Sequence, residues 1–389
     1  MRLPTLKLTF WKGVFGVVMA AALYATFVRF TRGLGASTNL SDQFPWGLWV
    51  GFDVLCGVML AAGGFTLTAA VHIFNLERFK PIIRPTVLTA FLGYSLVVMA
   101  LLFDLGRSYR IWHPLVMWNP RSVMFEVAWC VTLYTAVLGL EFAPVVFERL
   151  RMGRALRILR GISIPLVIAG VILSTLHQSS LGSLYLIVPE KLHPLWYSPL
   201  LPVFFFLSAI AIGLAMTIFE SSMSAKYFNK QLELPLLQEL GRILVVVLAV
   251  YSVLRFQDLY RRDALHLAFR PGYESSLFLV EVVAGLLLPI LLLLTRRIRE
   301  SPTGLYIAAV LVVLGFITNR LNVSITGMEA SAGVRYLPKW TELAVTGGIV
   351  AAGFAIFGLA AKYLPIFPAE ETLPRPEKSP NAQLTYAGD

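Results

Sequence analysis

Several ionisable residues stand inside stretches that are otherwise apolar, and their types suit proton-coupled redox chemistry. A charged side chain at the centre of a membrane helix costs about 2.5–3.5 kcal/mol on insertion scales, so each needs a reason to be there. Asp53, Asp104, Glu126, His177, Asp258 and Glu281 fall near or within one half of their apolar stretches, and Arg255 and Arg320 share that level. His72, Glu141, Glu148 and Glu220 fall toward the other half. A quinone headgroup needs two hydrogen-bond partners and a proton donor or acceptor, at a depth where its isoprenoid tail can stay in lipid. Histidine and aspartate supply both functions.

Each residue also has a structural reading. His177 can bond a backbone carbonyl at a helix end, and Asp104 or Asp258 can close a helix by pairing with Arg107 or Arg255. Glu126 and Glu281 suit helix starts, where the macrodipole favours carboxylates. Glu148 beside Arg149 suits an interfacial ion pair. Asp53 resists such a reading, because Phe52 and Val54 flank it.

The elements that must position these groups are membrane helices. Of 389 residues, 57% are hydrophobic and 14% charged, against roughly 25% charged in soluble domains. Mean hydropathy is +0.73. Apolar windows give ten spans, approximately 12–30, 46–75, 84–105, 122–147, 158–178, 199–224, 235–258, 274–296, 303–325 and 340–363. The basic start, with Arg2, Lys7 and Lys12, resembles a signal peptide, but no small-residue cleavage site precedes a soluble domain, so the first helix is expected to be retained. Residues 1–364 read as one membrane domain, and 365–389, rich in Pro, Glu, Lys and Asn, as a disordered cytoplasmic tail.

Basic residues set the expected orientation. With the N-terminus inside, 20 of the 33 Lys and Arg lie on the cytoplasmic side, concentrated at Arg149–Arg160 and Arg296–Arg299, so both termini are expected in the cytoplasm. The net charge of +11 needs no nucleic acid, since anionic lipid headgroups answer it. Cys56 and Cys130 both fall in apolar stretches and read as core residues. No CxxC motif is present, so no iron–sulfur cluster is expected in this chain. No two of the five histidines share a span, which argues against a bis-histidine haem.

Two regions echo one another. Phe103-Asp104-Leu105-Gly106-Arg107 is followed by Glu126, and Gln257-Asp258-Leu259-Tyr260-Arg261 by Glu281; the Asp-to-Glu separations are 22 and 23 residues. This suggests two related four-helix bundles, spans 2–5 and 6–9, with spans 1 and 10 outside. A transporter would also carry repeats and intramembrane carboxylates, but no Gly/Pro-broken half-helices occupy matching positions in the two halves. A third class is a purely structural anchor for a peripheral enzyme.

The motifs together resemble the NrfD/PsrC family of quinone-reactive membrane subunits, most closely its HybB branch, the membrane subunits of hydrogenase-2. The resemblance rests on Phe44-Pro45-Trp46-Gly47-Leu48-Trp49 with Asp53 and Gly63-Gly64, on Phe91-Leu92-Gly93-Tyr94-Ser95, and on Asp104-Leu105-Gly106-Arg107. It continues through Leu140-Glu141-Phe142-Ala143-Pro144, His177-Gln178-Ser179-Ser180-Leu181-Gly182, His193-Pro194-Leu195-Trp196, Val253-Leu254-Arg255-Phe256 and Pro338-Lys339-Trp340-Thr341-Glu342-Leu343. It implies an inner-membrane protein with no haem and a menaquinone or ubiquinone site on the periplasmic side. It implies as partners a ferredoxin-like iron–sulfur subunit and the large and small subunits of a [NiFe]-hydrogenase. Family members place His and Asp around the headgroup; that role carries to Asp53, Asp104 and His177, with Glu126 next. His72, Glu141, Asp258 and Glu281 become candidates for a proton path.

Overall fold

The computed structural model describes residues 10–228 and 232–367. Ten of its helices are long and apolar enough to cross a bilayer: α1 Phe10–Arg32, α2 Trp49–His72, α3 Glu77–Asp104, α4 Val123–Arg149, α5 Ser163–Ile187, α6 Leu201–Tyr227, α7 Leu234–Arg261, α8 Tyr273–Leu294, α9 Pro302–Ala332 and α10 Trp340–Tyr363. No strand occurs among the described residues. A chain this apolar must satisfy its backbone internally, and helices do so without partners. The shortest span has 22 residues and the longest 31, rises of about 33 to 46 Å, which exceed the ~30 Å hydrocarbon core.

Short connections make successive helices antiparallel, so the loops after α1, α3, α5, α7 and α9 gather at one end, the odd-loop face. The remaining turns form the even-loop face. Packing neighbours trace one ring through α2, α3, α4 and α5 and another through α6, α7, α8 and α9. α2 and α5 both pack on α6, and α2 also meets α9, which joins the rings. α1 lies against α10, and α10 against α3.

Small residues allow these approaches. Gly64 faces Ala90, Gly348 faces Ala22 of α1, and Gly285 of α8 meets Gly315 of α9 backbone to backbone, so a Cβ at either of the last two would collide with the other chain segment. At the end of α9, Gly333 takes φ +67 and its N–H returns to the Glu329 carbonyl, a left-handed helix stop that glycine adopts without Cβ strain.

The fifth span differs most from the sequence reading. Residues 153–161 form a separate short helix, Gly153–Gly161, and α5 starts at Ser163 and continues past His177 to Ile187. The polar run His177-Gln178-Ser179-Ser180 does not end the helix, because His177, Gln178 and Ser180 are buried against other helices instead of meeting water. Three spans contain wide, π-helical turns: Trp49–Cys56 in α2, Val283–Leu287 in α8 and Asn322–Thr326 in α9. α2 is further interrupted at Ala61 and Ala62. Of the segment expected to be a tail, residues 365–367 are ordered against the protein: Ile366 is buried beside Val87, Leu88 and Phe142, and Arg84 donates to the Pro365 carbonyl. The rest of that segment lies outside the described residues.

Candidate functional site

Three buried polar clusters result, and each forms for a different local reason. The first lies at the odd-loop end of α1, α2, α3 and α10. The π-helical start of α2 places Asp53 inward, where Thr346 of α10 donates to its Oδ2 at 2.8 Å. Asp104 is the last residue of α3. Arg29 of α1 donates to the Phe103 and Leu105 carbonyls at 2.6 and 2.7 Å, satisfying acceptors that a helix C-terminus leaves open. The same guanidinium lies within electrostatic reach of Asp104, as do Asp53 and Glu342. The Asp104 carboxylate accepts no hydrogen bond, while Asp53 accepts one on a single oxygen. The pairing of Asp104 with Arg107 expected from sequence does not form; the cation near Asp104 is Arg29, whose hydrogen bonds go to the Phe103 and Leu105 carbonyls and not to the carboxylate.

Glu342 is the frame of this cluster. Its carboxylate accepts from the backbone N–H groups of Asn39 and Lys339 at 3.0 and 2.8 Å, and from the Tyr336 hydroxyl. Tyr336 in turn accepts from Leu48 N–H at 2.9 Å. These bonds tie the segment before α2 to the segment before α10. Burial and the Glu342 contact hold the Tyr336 phenol above its ordinary pKa, so it remains a donor. Trp49, buried, donates to the Glu342 carbonyl at 3.3 Å and packs edge-on to Phe103.

The second cluster lies within the first ring, about 8–15 Å deeper, judged from five residues of α2 and ten of α3 at 1.5 Å each. His177 is fully buried and both ring nitrogens are engaged: Nε2 with the Tyr94 hydroxyl at 2.5 Å and Nδ1 with the Leu173 carbonyl at 2.7 Å. Gln178 donates to the Val58 carbonyl and to Tyr94 at 3.1 and 3.3 Å. Tyr134 stands edge-on to Tyr94, ring centres 4.7 Å apart. Gln178 Oε1 and the neighbouring Tyr185 hydroxyl have no protein partner although buried, and the Tyr134 hydroxyl and Ser174 Oγ, which lie close to one another and to Tyr94, make no well-formed hydrogen bond. Buried polar atoms without partners are rare in native folds, so this concentration marks a place suited to a polar guest.

The third cluster belongs to the second ring. Glu281 accepts four hydrogen bonds: Arg255 at 2.9 Å and Asn319 at 2.8 Å on Oε1, Asn322 and Trp196 at 2.9 Å on Oε2. Arg320 lies 3.4 Å over the Phe205 ring and donates to Ser208 at 2.6 Å. A cavity of about 10 Å³ adjoins Arg255, Glu281 and Asn319, about the size of one water. Asp258 is not part of this hub. It pairs with Arg262 at 2.7 Å and closes α7, and Arg255 turns to Glu281 instead.

The remaining sequence candidates separate from these clusters. Glu126 is half-buried on α4, its carboxylate without a hydrogen bond and without contact to Asp104 or His177. His72 is exposed at the end of α2 and bonds the Thr68 carbonyl at 3.2 Å. Glu141 faces Gly170 and the Tyr134 ring edge. Glu148 pairs with Arg84 and Arg160, at 3.0 and 3.3 Å, and not with Arg149. Thus Asp53 and Asp104 are brought together, His177 heads a separate and deeper group, and Glu126 joins neither.

Charge-based reading missed Arg29, Glu342, Tyr94, Tyr134 and Gln178. Tyr94, Gln178 and Glu342 stand inside motif runs that carry the family resemblance, which is the signal that could have found them. Arg29 follows a long apolar stretch and passes for an interfacial arginine. Only the fold shows it buried at 3% exposure against α3.

Ten membrane-length helices with buried acidic, imidazole and guanidinium groups at their interfaces define an all-α, multi-pass membrane protein. The chain belongs to the NrfD family: residues 36–331 match the family described as polysulphide reductase, NrfD. It is 36% identical over 360 residues to a probable Ni/Fe-hydrogenase 2 b-type cytochrome subunit of Escherichia coli K12, covering 91% of this chain and 92% of the relative. It is 30% identical over 399 residues to the integral membrane subunit of a menaquinone reductase of Nitratidesulfovibrio vulgaris, covering 95% and 94%. A further protein of that organism, whose name states no function, is 40% identical over 362 residues, covering 90% and 92%. By their names, the first of these relatives is a probable subunit of a Ni/Fe-hydrogenase and the second the integral membrane subunit of a menaquinone reductase.

The phrase b-type cytochrome in one relative's name raises haem, whose axial histidines must face each other across helices. The histidines here do not fit that need. His177 has both nitrogens engaged, His72 lies at the even-loop end, and His113, His193 and His266 lie in odd-loop segments. His193 is half-buried at the foot of Trp196, and burial holds it below its ordinary pKa against the opposing charge of Glu274.

Proposed function

We propose that this chain is the quinone-reactive membrane subunit of a respiratory [NiFe]-hydrogenase in the bacterial inner membrane, with both termini cytoplasmic and the odd-loop face periplasmic. Electrons pass between a periplasmic ferredoxin-like iron–sulfur subunit, linked to the hydrogenase large and small subunits, and menaquinone or ubiquinone. The chain carries no hydrogen-activating site, iron–sulfur cluster or haem of its own. The observation that carries this reading is the odd-loop cluster, where Asp104 offers a carboxylate with no hydrogen-bond partner beside Asp53 and the Arg29 charge. Two acids and a cation near one membrane face suit a carbonyl that is reduced and protonated. Arg29 favours the negative charge that reduction develops, and Asp104 delivers or accepts the proton. Reduction of a quinone to its quinol takes two electrons, from the iron–sulfur partner, and two protons.

His177 acts from the deeper cluster. Its Nε2–Tyr94 bond, the unpartnered Gln178 oxygen and the loosely bonded Tyr134 and Ser174 hydroxyls can hold a headgroup that reaches below Asp53, or hand protons toward it. Glu141, beside Tyr134, is the proton-path candidate this geometry favours. His72 is remote, Asp258 is taken by Arg262, and Glu281 has its acceptor sites filled. Glu126 drops from the headgroup set because no described contact brings it near either cluster.

The alternative within this class is a membrane subunit for a molybdopterin or other quinone oxidoreductase, favoured by the menaquinone reductase relative. A different class, an ion or proton transporter, would also use buried carboxylates. The test is an Asp104→Asn variant in the purified complex. Hydrogen oxidation with an artificial dye is expected to persist, while transfer to a soluble quinone analogue falls roughly 100-fold or more, the scale of losing general acid–base assistance. Unchanged quinone reduction would remove Asp104 from the reaction, and a parallel loss of dye activity would mean failed assembly.

A further inference from the structure

The even-loop face carries a feature that the redox reading does not use. Between α4 and α5 the short helix Gly153–Gly161 turns a narrow strip of Ala155, Leu156 and Leu159 toward the protein and fans Arg154, Arg157 and Arg160 outward. At 100° per residue these three arginines cover about a third of the helix circumference. Arg149 and Arg151 flank the helix start.

Acidic partners for this basic group are scarce. Glu148 is the acid in contact with it, and that carboxylate already holds Arg84 and Arg160. Among the described residues, Arg149, Arg151, Arg154 and Arg157 have no ion pair or side-chain hydrogen bond. Beside these cations the same segment leaves large apolar side chains in the open: Leu150 is 60% exposed, Ile158 66% and Ile164 59%, with Met152 and Ile162 also uncovered. Water satisfies the guanidinium groups and not the aliphatic ones. A hydrocarbon layer does the reverse. The boundary between them satisfies both, with phosphate against arginine and acyl chain against isoleucine.

We propose that residues 149–164 form a binding site for an anionic glycerophospholipid, its phosphate held by Arg154 and Arg157 and its acyl chains lying along Ile158, Ile162 and Ile164. The occupant follows from charge complementarity. A zwitterionic lipid would leave the unpaired arginines without net compensation, and a free phosphate would leave the aliphatic side chains in water. Guanidinium suits the task because its fork of donors matches phosphate oxygens two at a time. The assignment does not depend on the quinone reading, since it uses residues at the opposite face from the odd-loop cluster.

The test uses the intact complex, purified, stripped of lipid in detergent, and supplied with defined phospholipid while bound lipid is counted by native mass spectrometry. The wild-type protein is expected to retain phosphatidylglycerol in preference to phosphatidylcholine. An Arg154→Gln/Arg157→Gln variant is expected to lose about tenfold of that retention, a conservative scale for two arginines at an anionic surface. An Arg296→Gln/Arg297→Gln variant removes the same charge from the turn between α8 and α9, where Arg296 already pairs with Glu300 at 2.7 Å, and is expected to behave as wild type. Both variants should keep dye-linked hydrogen oxidation, which reports intact assembly. Equal retention in all three proteins overturns the proposal. Equal loss in both variants also overturns it, because the attraction would then be diffuse. Displacement of the lipid by inorganic phosphate alone would show that the acyl chains contribute nothing, and would overturn it as well.

Discussion

The two rings of helices each enclose a polar cluster, and the clusters are built on opposite principles. In the second ring the buried Glu281 carboxylate has its acceptor sites filled: each oxygen accepts two hydrogen bonds, from Arg255, Asn319, Asn322 and Trp196, while Arg255 gives its terminal nitrogens to Glu281 and Tyr251 and leaves only Nε without a partner. In the first ring, His177, Tyr94, Tyr134, Ser174 and Gln178 form a group without a guanidinium and with Glu141 at its edge, in which Gln178 Oε1 has no protein partner and the Tyr134 and Ser174 hydroxyls make no well-formed hydrogen bond. A carboxylate with all its acceptor sites filled fixes helices in register and has little capacity to spare. An under-bonded neutral group keeps capacity for a guest or a proton. The difference fits the proposal that the second cluster is structural and that quinone chemistry belongs to the first and to its odd-loop neighbour at Asp104.

The largest effect that would sharpen this contrast is expected from Glu281→Ala. It leaves Arg255 buried beside two asparagines with no counter-charge, and breaking a buried pair from one side costs about 3–5 kcal/mol. Loss of assembled complex from the membrane fraction is the readout. The double change Glu281→Leu/Arg255→Met should recover much of the assembly, since replacing both charges removes the desolvation penalty together with the attraction. Failure of the double variant to recover would mean that the hub does more than hold helices together.

In the first ring Tyr94→Phe is the matching change. It takes one hydroxyl from His177 Nε2 and from Gln178, at a cost of about 1–3 kcal/mol for the groups left unpaired. The complex should still assemble, with a lower melting temperature. Quinone-linked turnover should fall further than dye-linked turnover. A loss of assembly as severe as that of Glu281→Ala would break the comparison, because both clusters would then be structural.

What the sequence made legible was the part carried by composition and local pattern. Ten apolar windows correspond to ten helices, since the demand that backbone groups be satisfied in lipid leaves little choice. Family motifs located Asp53, Asp104 and His177. The errors came where tertiary burial overrode a local signal. The run His177-Gln178-Ser179-Ser180 looks like a helix end because polar residues usually meet water, yet α5 continues for ten residues beyond His177 to Ile187. Arg107 and Arg149 are sequence neighbours of Asp104 and Glu148, but among the described residues Asp104 makes no ion pair and only feels the charge of Arg29, and Glu148 pairs with Arg84 and Arg160. Arg29 and Arg84 come from helices distant in the chain, and Arg160 from the short helix after α4, and no spacing rule encodes these contacts.

The echo between the halves supplies the smallest expected effect. Asp104 with Glu126 and Asp258 with Glu281 have nearly equal spacing, 22 and 23 residues, but the two glutamates do different things. Glu281 stands beside the π-helical turns of α8 and faces Arg255 three residues before Asp258; the residue three before Asp104 is Leu101, which offers no charge. Without that cation Glu126 stays half-exposed near the first turn of α4, where the helix dipole and solvent suffice to keep it. Glu126→Gln should therefore shift stability by no more than about 0.5 kcal/mol, as surface changes do, and should leave quinone-linked turnover at the wild-type rate. Turnover reduced as far as in Asp104→Asn would return Glu126 to the headgroup set.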